Sequence, residues 1–304
     1  MGKLSEKCNR LPKSLLISGV TQRDEHISFP GGYGDVFKAS YQGKPVALKR
    51  MRMFQDTDQR DIRRALVWQR LRNFYIVPLI GIDAESFPPF LCLVSPWMKN
   101  GTVLKYLSTL GDHGRQHTVT RLIREIAQGL AFLHDEHVVH GDLRGANILV
   151  DDAGHACLTD FGLTIVNDAS TAQTKNSGGC VRWMAPETLD PDTFGVQNRP
   201  RTPASDIYAF GCVCLELYTG YPPFHDAHLR EPAVIYQVVQ GVRPNRPAGN
   251  SIPDYMWNIM QKCWAHNFAD RPSILGILLE LGLHDRPSGI FCAFLCTSPA
   301  HSSR

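Results

Sequence analysis

The chain has 304 residues, 43% hydrophobic and 20% charged, with a formal net charge of +3. That supports one large core or two smaller ones and excludes the disordered, collagenous and disulfide-dense classes. The small charge, without a basic run, leaves no footprint for nucleic acid or an anionic membrane, and no apolar run approaches the ~20 residues of a membrane span.

Nine cysteines, at 8, 92, 157, 180, 212, 214, 263, 292 and 296, contain no CxxC pair. This argues against a disulfide framework and a zinc site and reads as reduced thiols in a cytoplasmic chain. His134, His137 and His140 recur every third residue but straddle a loop boundary, so a metal stripe is the weaker reading.

In chain order, residues 1–26 are polar and irregular and read as a flexible leader. Ser28 to Ala39 is glycine-rich and precedes the alternating run Tyr41 to Leu48, which predicts a glycine-tipped hairpin and a Gln42-Gly43 turn. Glycines at such a tip let backbone amides approach a phosphate, and Lys49 ends the next strand. The spacing predicts a helix between Asp56 and Leu71 with Trp68 on its apolar side. Two apolar runs, IVPLIGI and FLCLV, read as strands, the second leading into Ser95, Pro96, Trp97 and Met98.

After Asn100-Gly101 the pattern turns helical, over Val103 to Leu110 and Val119 to Leu133. A small β-rich lobe therefore precedes a larger α-rich one. The stretch VHGDLRGANILV follows, and its residues suit phosphoryl transfer. Asp142 can accept a proton from a hydroxyl, Arg144 can neutralise a phosphate oxygen, and Asn147 can offer a carbonyl oxygen to a divalent metal. Strands at Ile148 to Val150 and Ala156 to Leu158 flank a glycine-containing turn, leaving Asn147 at one end of a hairpin and Asp160-Phe161-Gly162 at the other. Residues 163–183 read as a mobile loop. Asp206 to Tyr218, Ile252 to Trp264 and Ile274 to Leu283 read as helices, and the tail from Asp285 is expected to dock on the large lobe.

The order glycine loop, VALK, HGDLRGAN, DFG, WMAPE, DIYAFG resembles the eukaryotic protein kinase signature across about residues 27 to 283. VRWMAPE, SPWM and HGDLRGANILV look most like the tyrosine-kinase-like branch, especially the expanded sets of mushroom-forming fungi. The resemblance implies an α+β bilobal fold: a leader over 1–26, a small lobe and hinge over 27–98, a helical lobe over 99–283 and a tail over 284–304. It implies ATP and Mg2+, a protein substrate and a Ser/Thr acceptor more than a Tyr one. Gly31, Gly32 and Gly34 would cover the phosphates, with Val36 and Ala47 against the nucleotide and Lys49 on its α- and β-phosphates. Ser95 would guard the back of the adenine pocket, and the Pro96 carbonyl and Met98 amide would face the adenine. Asp142 would orient or deprotonate the acceptor hydroxyl, beside Arg144, while Asn147 and Asp160 would hold magnesium. Glu187 would pair with Arg271.

Four positions depart from that pattern. Phe29, followed by Pro30, stands at the loop's first glycine position. Arg64 stands where the family places the glutamate that pairs with the β3 lysine. Two cations about 4 Å apart repel by ~4 kcal/mol at an effective dielectric of ~20, so the helix is expected to sit outward and Lys49 to pair with Asp160 instead; Asp61 is the nearest acid. Gly141 replaces the arginine that binds a loop phosphate, which predicts activity independent of phosphorylation at Thr171, Thr174 or Ser177. Cys180 stands where serine/threonine members set a hydroxyl. The alternative function is a pseudokinase acting as a nucleotide-binding or scaffolding module.

Overall fold

The computed structural model describes residues 12–24, 26–27, 29–31, 34–51, 65–161, 180–196, 201–225, 229–248 and 252–284. Gly32, Asp61, Arg64, Gly162, the three loop hydroxyl residues, Gly178-Gly179 and the tail from Asp285 lie outside them.

The small lobe is a sheet of β1 (Leu16–Ile17), β2 (Val20–Thr21), β3 (Phe29–Gly31), β4 (Gly34–Tyr41), β5 (Lys44–Met51), β6 (Gly81–Asp83) and β7 (Cys92–Pro96). The strand order is β1-β6-β7-β5-β4-β2, with β3 also on β4. The expected turn joins β4 to β5, Gln42 and Gly43 both having positive φ (51° and 74°), as a two-residue hairpin turn demands. Pro30 sits on an edge strand, where its missing N–H removes no ladder bond from the interior.

Part of the expected leader is built into this sheet. Leu15 is buried, β1 pairs in parallel with β6, and β2 pairs antiparallel with β4. Because β1 and β2 lie at opposite ends of the strand order yet are joined by two residues, Ser18 and Gly19, the sheet curls into a half-barrel that brings its two edges near each other without pairing them. Two-residue strands carry no alternation to read, which is why the sequence gives no sign of them. IVPLIGI is likewise shorter as a strand than expected. Only Gly81–Asp83 joins the sheet, while Ile76 bridges to Leu158 and the Val77 N–H donates to the Leu158 carbonyl at 3.0 Å. Pro78 cannot donate to a ladder and divides the run between the two lobes.

The helical lobe holds α1 (Val103–Ser108), α2 (Asp112–Asp135), α3 (Pro186–Leu189), α4 (Pro203–Thr219), α5 (Glu231–Val239), α6 (Asp254–Cys263) and α7 (Ile274–His284), with the hairpin β8 (Ile148–Val150) and β9 (Ala156–Leu158). Thr202 and Ser205 form a reciprocal capping box at the start of α4, and Gly220 ends it with φ 77°. α3 and α5 were not foreseen: the first is a single turn, and α5 buries only Val234 and Val238. The main core runs from Leu122, Ile126 and Leu130 on α2 to Phe210 and Leu217 on α4, and includes Ile76 and Phe161 at the junction of the lobes. Two smaller cores occupy the faces of the small-lobe sheet.

Candidate functional site: the cleft between the lobes

Register decides what faces the cleft. Across the β4–β5–β7 ladder Val36 pairs with Lys49 and Ala47 with Ser95, and Ala47 and Lys49 are two residues apart on one strand. Cross-strand partners and i, i+2 neighbours share a face, so Val36, Ala47, Lys49 and Ser95 all lie on one side of the sheet. Phe37, Ala39, Val46, Leu48 and Val94 alternate with them and form the core of the other side.

Gly34 is needed for a reason other than flexibility: a Cβ there would sit 2.4 Å from the Arg50 carbonyl oxygen of β5. The close approach of two backbones forces the glycine, whatever ligand the tip meets. At the far end of β7, the Met98 carbonyl accepts the Gly101 N–H at 3.0 Å, while the Met98 N–H has no acceptor among the described residues.

Lys49 reaches across the cleft to form an ion pair with Asp160 Oδ1, the pairing expected in place of one to a helix glutamate. Burial alone would push the Asp160 carboxyl up, but the Lys49 ammonium against it outweighs this and holds it below the usual carboxylate range. Asp160 itself has φ 60°, a left-handed backbone that turns its side chain out of the β9 direction. The next residue, Phe161, points the other way, into the core. Trp68 meets its ring edge-on, with centroids 5.8 Å apart, and anchors its own Nε1–H on the Val77 carbonyl at 2.6 Å.

Residues 65–70 are helical, with Ala65 and Leu66 packed against Leu15, Ile82 and Leu93. The turn following Arg64 therefore sits against the sheet, held by apolar burial of Ala65 and Leu66 with Trp68 packed beside them. The expectation of an outward helix falls on Arg64 and the residues before it, which lie outside the described residues.

On the helical side, HGDLRGAN is fastened from beneath. Asp206, buried near the start of α4, accepts the His140 N–H at 2.7 Å and the Gly141 N–H at 2.8 Å, and bonds His134 Nε2 at 3.0 Å. Two of the three recurring histidines thus serve this carboxylate's surroundings. Burial pushes the His140 imidazole below its usual range, favouring the neutral ring, whose Nδ1 accepts the Asp142 N–H at 3.3 Å.

Asn147 donates through Nδ2 to the Asp142 backbone carbonyl at 2.7 Å and to its carboxylate at 2.9 Å. Those bonds fix the amide so that its oxygen faces away from Asp142, free to accept a cation. Arg144 Nε lies 3.5 Å from Asp142 Oδ2. Burial raises the Asp142 carboxyl, and Arg144, His140, Asn147 and Arg201 each pull it back.

Sequence reasoning gave no role to two acids, although both are visible as the only acids in the apolar helix α4. Asp206 is one. The other, Glu216, accepts the Gly145 N–H at 2.9 Å and the Trp183 indole N–H at 2.9 Å, joining HGDLRGAN to the VRW segment. Its burial pushes the carboxyl up to about 7, against the pull of those two bonds. Glu187 and Arg271 make the expected pair, a buried bidentate one with both contacts at 2.7 Å, and Arg271 also donates to the Ala204 and Ala265 carbonyls.

The cleft thus carries a lysine and an aspartate from opposite sides, an asparagine with a directed oxygen, and a second aspartate beside an arginine. The sequence matches the family described as protein tyrosine and serine/threonine kinase over residues 25–281. It is 30% identical over 266 residues to the serine/threonine-protein kinase STY46 of Arabidopsis thaliana, covering 84% of this chain and 44% of that one. It is 31% identical over 262 residues to the tyrosine-protein kinase SPK-1 of Girardia tigrina, covering 83% and 51%. The serine/threonine/tyrosine-protein kinase HT1 of Arabidopsis thaliana is 28% identical over 265 residues, covering 84% and 64%. The chain belongs to the eukaryotic protein kinase family, in its tyrosine-kinase-like branch. It spans between 44% and 64% of the length of those three relatives.

Proposed function

We propose that the chain transfers the γ-phosphate of ATP to a protein hydroxyl, with serine or threonine the favoured acceptor. The single observation that carries this is the facing arrangement of Lys49 with Asp160 and of Asn147 with Asp142. The named activities of STY46 and HT1 agree with it. The donor set also suits Mg2+: a carboxylate from Asp160 and an amide oxygen from Asn147 are hard oxygen ligands with no soft atom among them. Held by Asp160 and Asn147, such an ion would supply positive charge that neutralises the phosphates.

The remaining work falls to the chain. Val36, Ala47 and Ser95 form the wall against which the base lies, and the Met98 N–H and Pro96 carbonyl meet its polar edge. Gly31, Gly32 and Gly34 cover the phosphates, and Lys49 turns from Asp160 to the α- and β-phosphates. Asp142 orients the acceptor hydroxyl. As that oxygen bonds to the γ-phosphorus and the bond from phosphorus to the β–γ bridging oxygen breaks, Asp142 takes the proton and ADP leaves. Arg144 offsets charge on the transferred group. Positioning and charge neutralisation supply most of the rate in such a reaction.

Reduced thiols support a cytoplasmic setting, since Cys92, Cys157, Cys180, Cys212, Cys214 and Cys263 form no disulfide among the described residues. No helix among the described residues is long and apolar enough to cross a membrane. Residues 284–304 are proposed as a tail outside the catalytic unit, and residues 27–98 and 99–283 as its two lobes.

The second reading, a pseudokinase, is favoured by Arg64 at the glutamate position and Phe29 at the first glycine. Labelled ATP, magnesium and a generic protein substrate separate the two. Wild type should outpace Asp142→Asn by about 10²-fold or more, and equal rates would end the kinase reading. A gain on Arg64→Glu would place the weakness in the missing ion pair.

A further inference from the structure

Beneath Asp142 opens a cleft lined in part by Gly141, Asp142, Cys180, Thr188, Arg201 and Ser205. Its acidic groups are already engaged. Asp206 accepts both backbone N–H groups and bonds His134, and Asp142 accepts from Asn147. The Ser205 hydroxyl is engaged with Thr202 in the cap of α4.

The groups left over want an acceptor. The Thr188 hydroxyl, on the wall of this cleft, is buried without a hydrogen-bond partner. Arg201, half-buried on the segment that leads into α4, makes no hydrogen bond or ion pair among the described residues, yet its charge is felt at Asp142. Buried polar groups without partners are rare in folded proteins and call for a ligand or water to complete them. With glycine at 141, the cation of this cleft comes from the opposite wall.

We propose that Arg201 is a specificity-determining residue that selects acceptor segments bearing a carboxylate or a phosphate beside the accepting hydroxyl. This rests on the reading of the cleft as a kinase acceptor site. A guanidinium forms paired hydrogen bonds to either anion, and such charge-assisted contacts are stronger than neutral ones. A basic residue at the same place in the acceptor would face Arg201. The cleft thereby discriminates by repulsion as well as attraction.

The test uses the full chain, treated with phosphatase, and four fluorescent serine peptides differing at one flanking position: Ala, Glu, phosphoserine or Lys. Affinity is read by anisotropy, and transfer from ATP is followed in parallel. The Glu and phosphoserine peptides should bind at least about fivefold more tightly than the Ala peptide, the equivalent of ~1 kcal/mol. The Lys peptide should bind more weakly. Arg201→Ala should bring the ratios close to one, and Arg201→Glu should reverse them, with melting temperatures confirming that both variants fold. The Glu and phosphoserine arms tell which anion is preferred. Equal affinities in wild type, or a preference that survives Arg201→Ala, would overturn the assignment. Binding is read apart from transfer, so a chain that shows the preference but transfers no phosphate refutes the kinase reading and leaves the anion site standing.

Discussion

The two sides of the cleft are held in different ways. On the helical side, HGDLRGAN rests on Asp206 and Glu216, two buried carboxylates of one helix, and the segment after Cys180 is fastened by the buried pair of Glu187 and Arg271. On the small-lobe side, the one ionic contact of Lys49 among the described residues is with Asp160, and both partners are partly exposed. The acceptor half is therefore assembled by the fold itself, whereas the nucleotide half depends on contacts that form across the gap. The lobes join mainly through apolar contacts at Trp68, Ile76 and Phe161, which set their separation without fixing any charge.

Four substitutions test that contrast, in decreasing order of effect. Glu187→Ala leaves the fully buried Arg271 guanidinium without its counter-charge. Breaking such a pair costs roughly 3–5 kcal/mol, and urea denaturation should show a loss of that size. A loss near zero would mean that the helical side is not held by this pair.

Glu216→Gln addresses the same side through pH. With its carboxyl raised to about 7 against a usual 4.5, folded Glu216 retains a proton that the unfolded chain has released. Stability contributed at this site is therefore highest at or below pH 4.5, falls as pH rises to 7, and then levels, a change on the order of 3 kcal/mol. The Gln variant should lack that slope, and parallel pH profiles for the two proteins would argue against a raised carboxyl.

Gly34→Ala forces the β4 and β5 backbones apart and should cost about 1–3 kcal/mol, as overpacking does. Its melting temperature should fall in the absence of nucleotide, and an unchanged value would refute the steric account. Lys49→Ala should be the mildest, about 1 kcal/mol, because a partly exposed pair contributes little. Asp160 is held below its usual range, so the pair's contribution is present above the unfolded carboxylate's pKa and disappears as pH falls through the folded one. The difference between wild type and Lys49→Ala should accordingly vanish in acid. A loss as large as that of Glu187→Ala would erase the contrast between the two sides.

Much of this was legible in the sequence because it rests on short-range chemistry. The Gln42-Gly43 turn, the β8–β9 hairpin and the long helices follow from local pattern, and six ordered motifs mark the cleft. Two features were hidden for physical reasons. β1 and β2 are too short to alternate, so only pairing with distant strands reveals them. IVPLIGI is continuous in hydrophobicity but divided in space, because the ladder stops at a proline. Asp206 and Glu216 were readable in principle: an acid within an otherwise apolar helix is either costly or bonded, and here both are bonded.

The contact between Lys49 and Asp160 has a thermodynamic consequence for the proposed reaction. In this structure each side chain is the other's counter-ion. A cation held by the Asp160 carboxylate would free the Lys49 ammonium, and a triphosphate held by that ammonium would free the carboxylate. Each arrival removes the competitor of the other, so the metal and the nucleotide should tighten each other's affinity by the same factor, as linkage requires. The pair thereby acts as an exchange of partners that favours joint loading over loading by either alone.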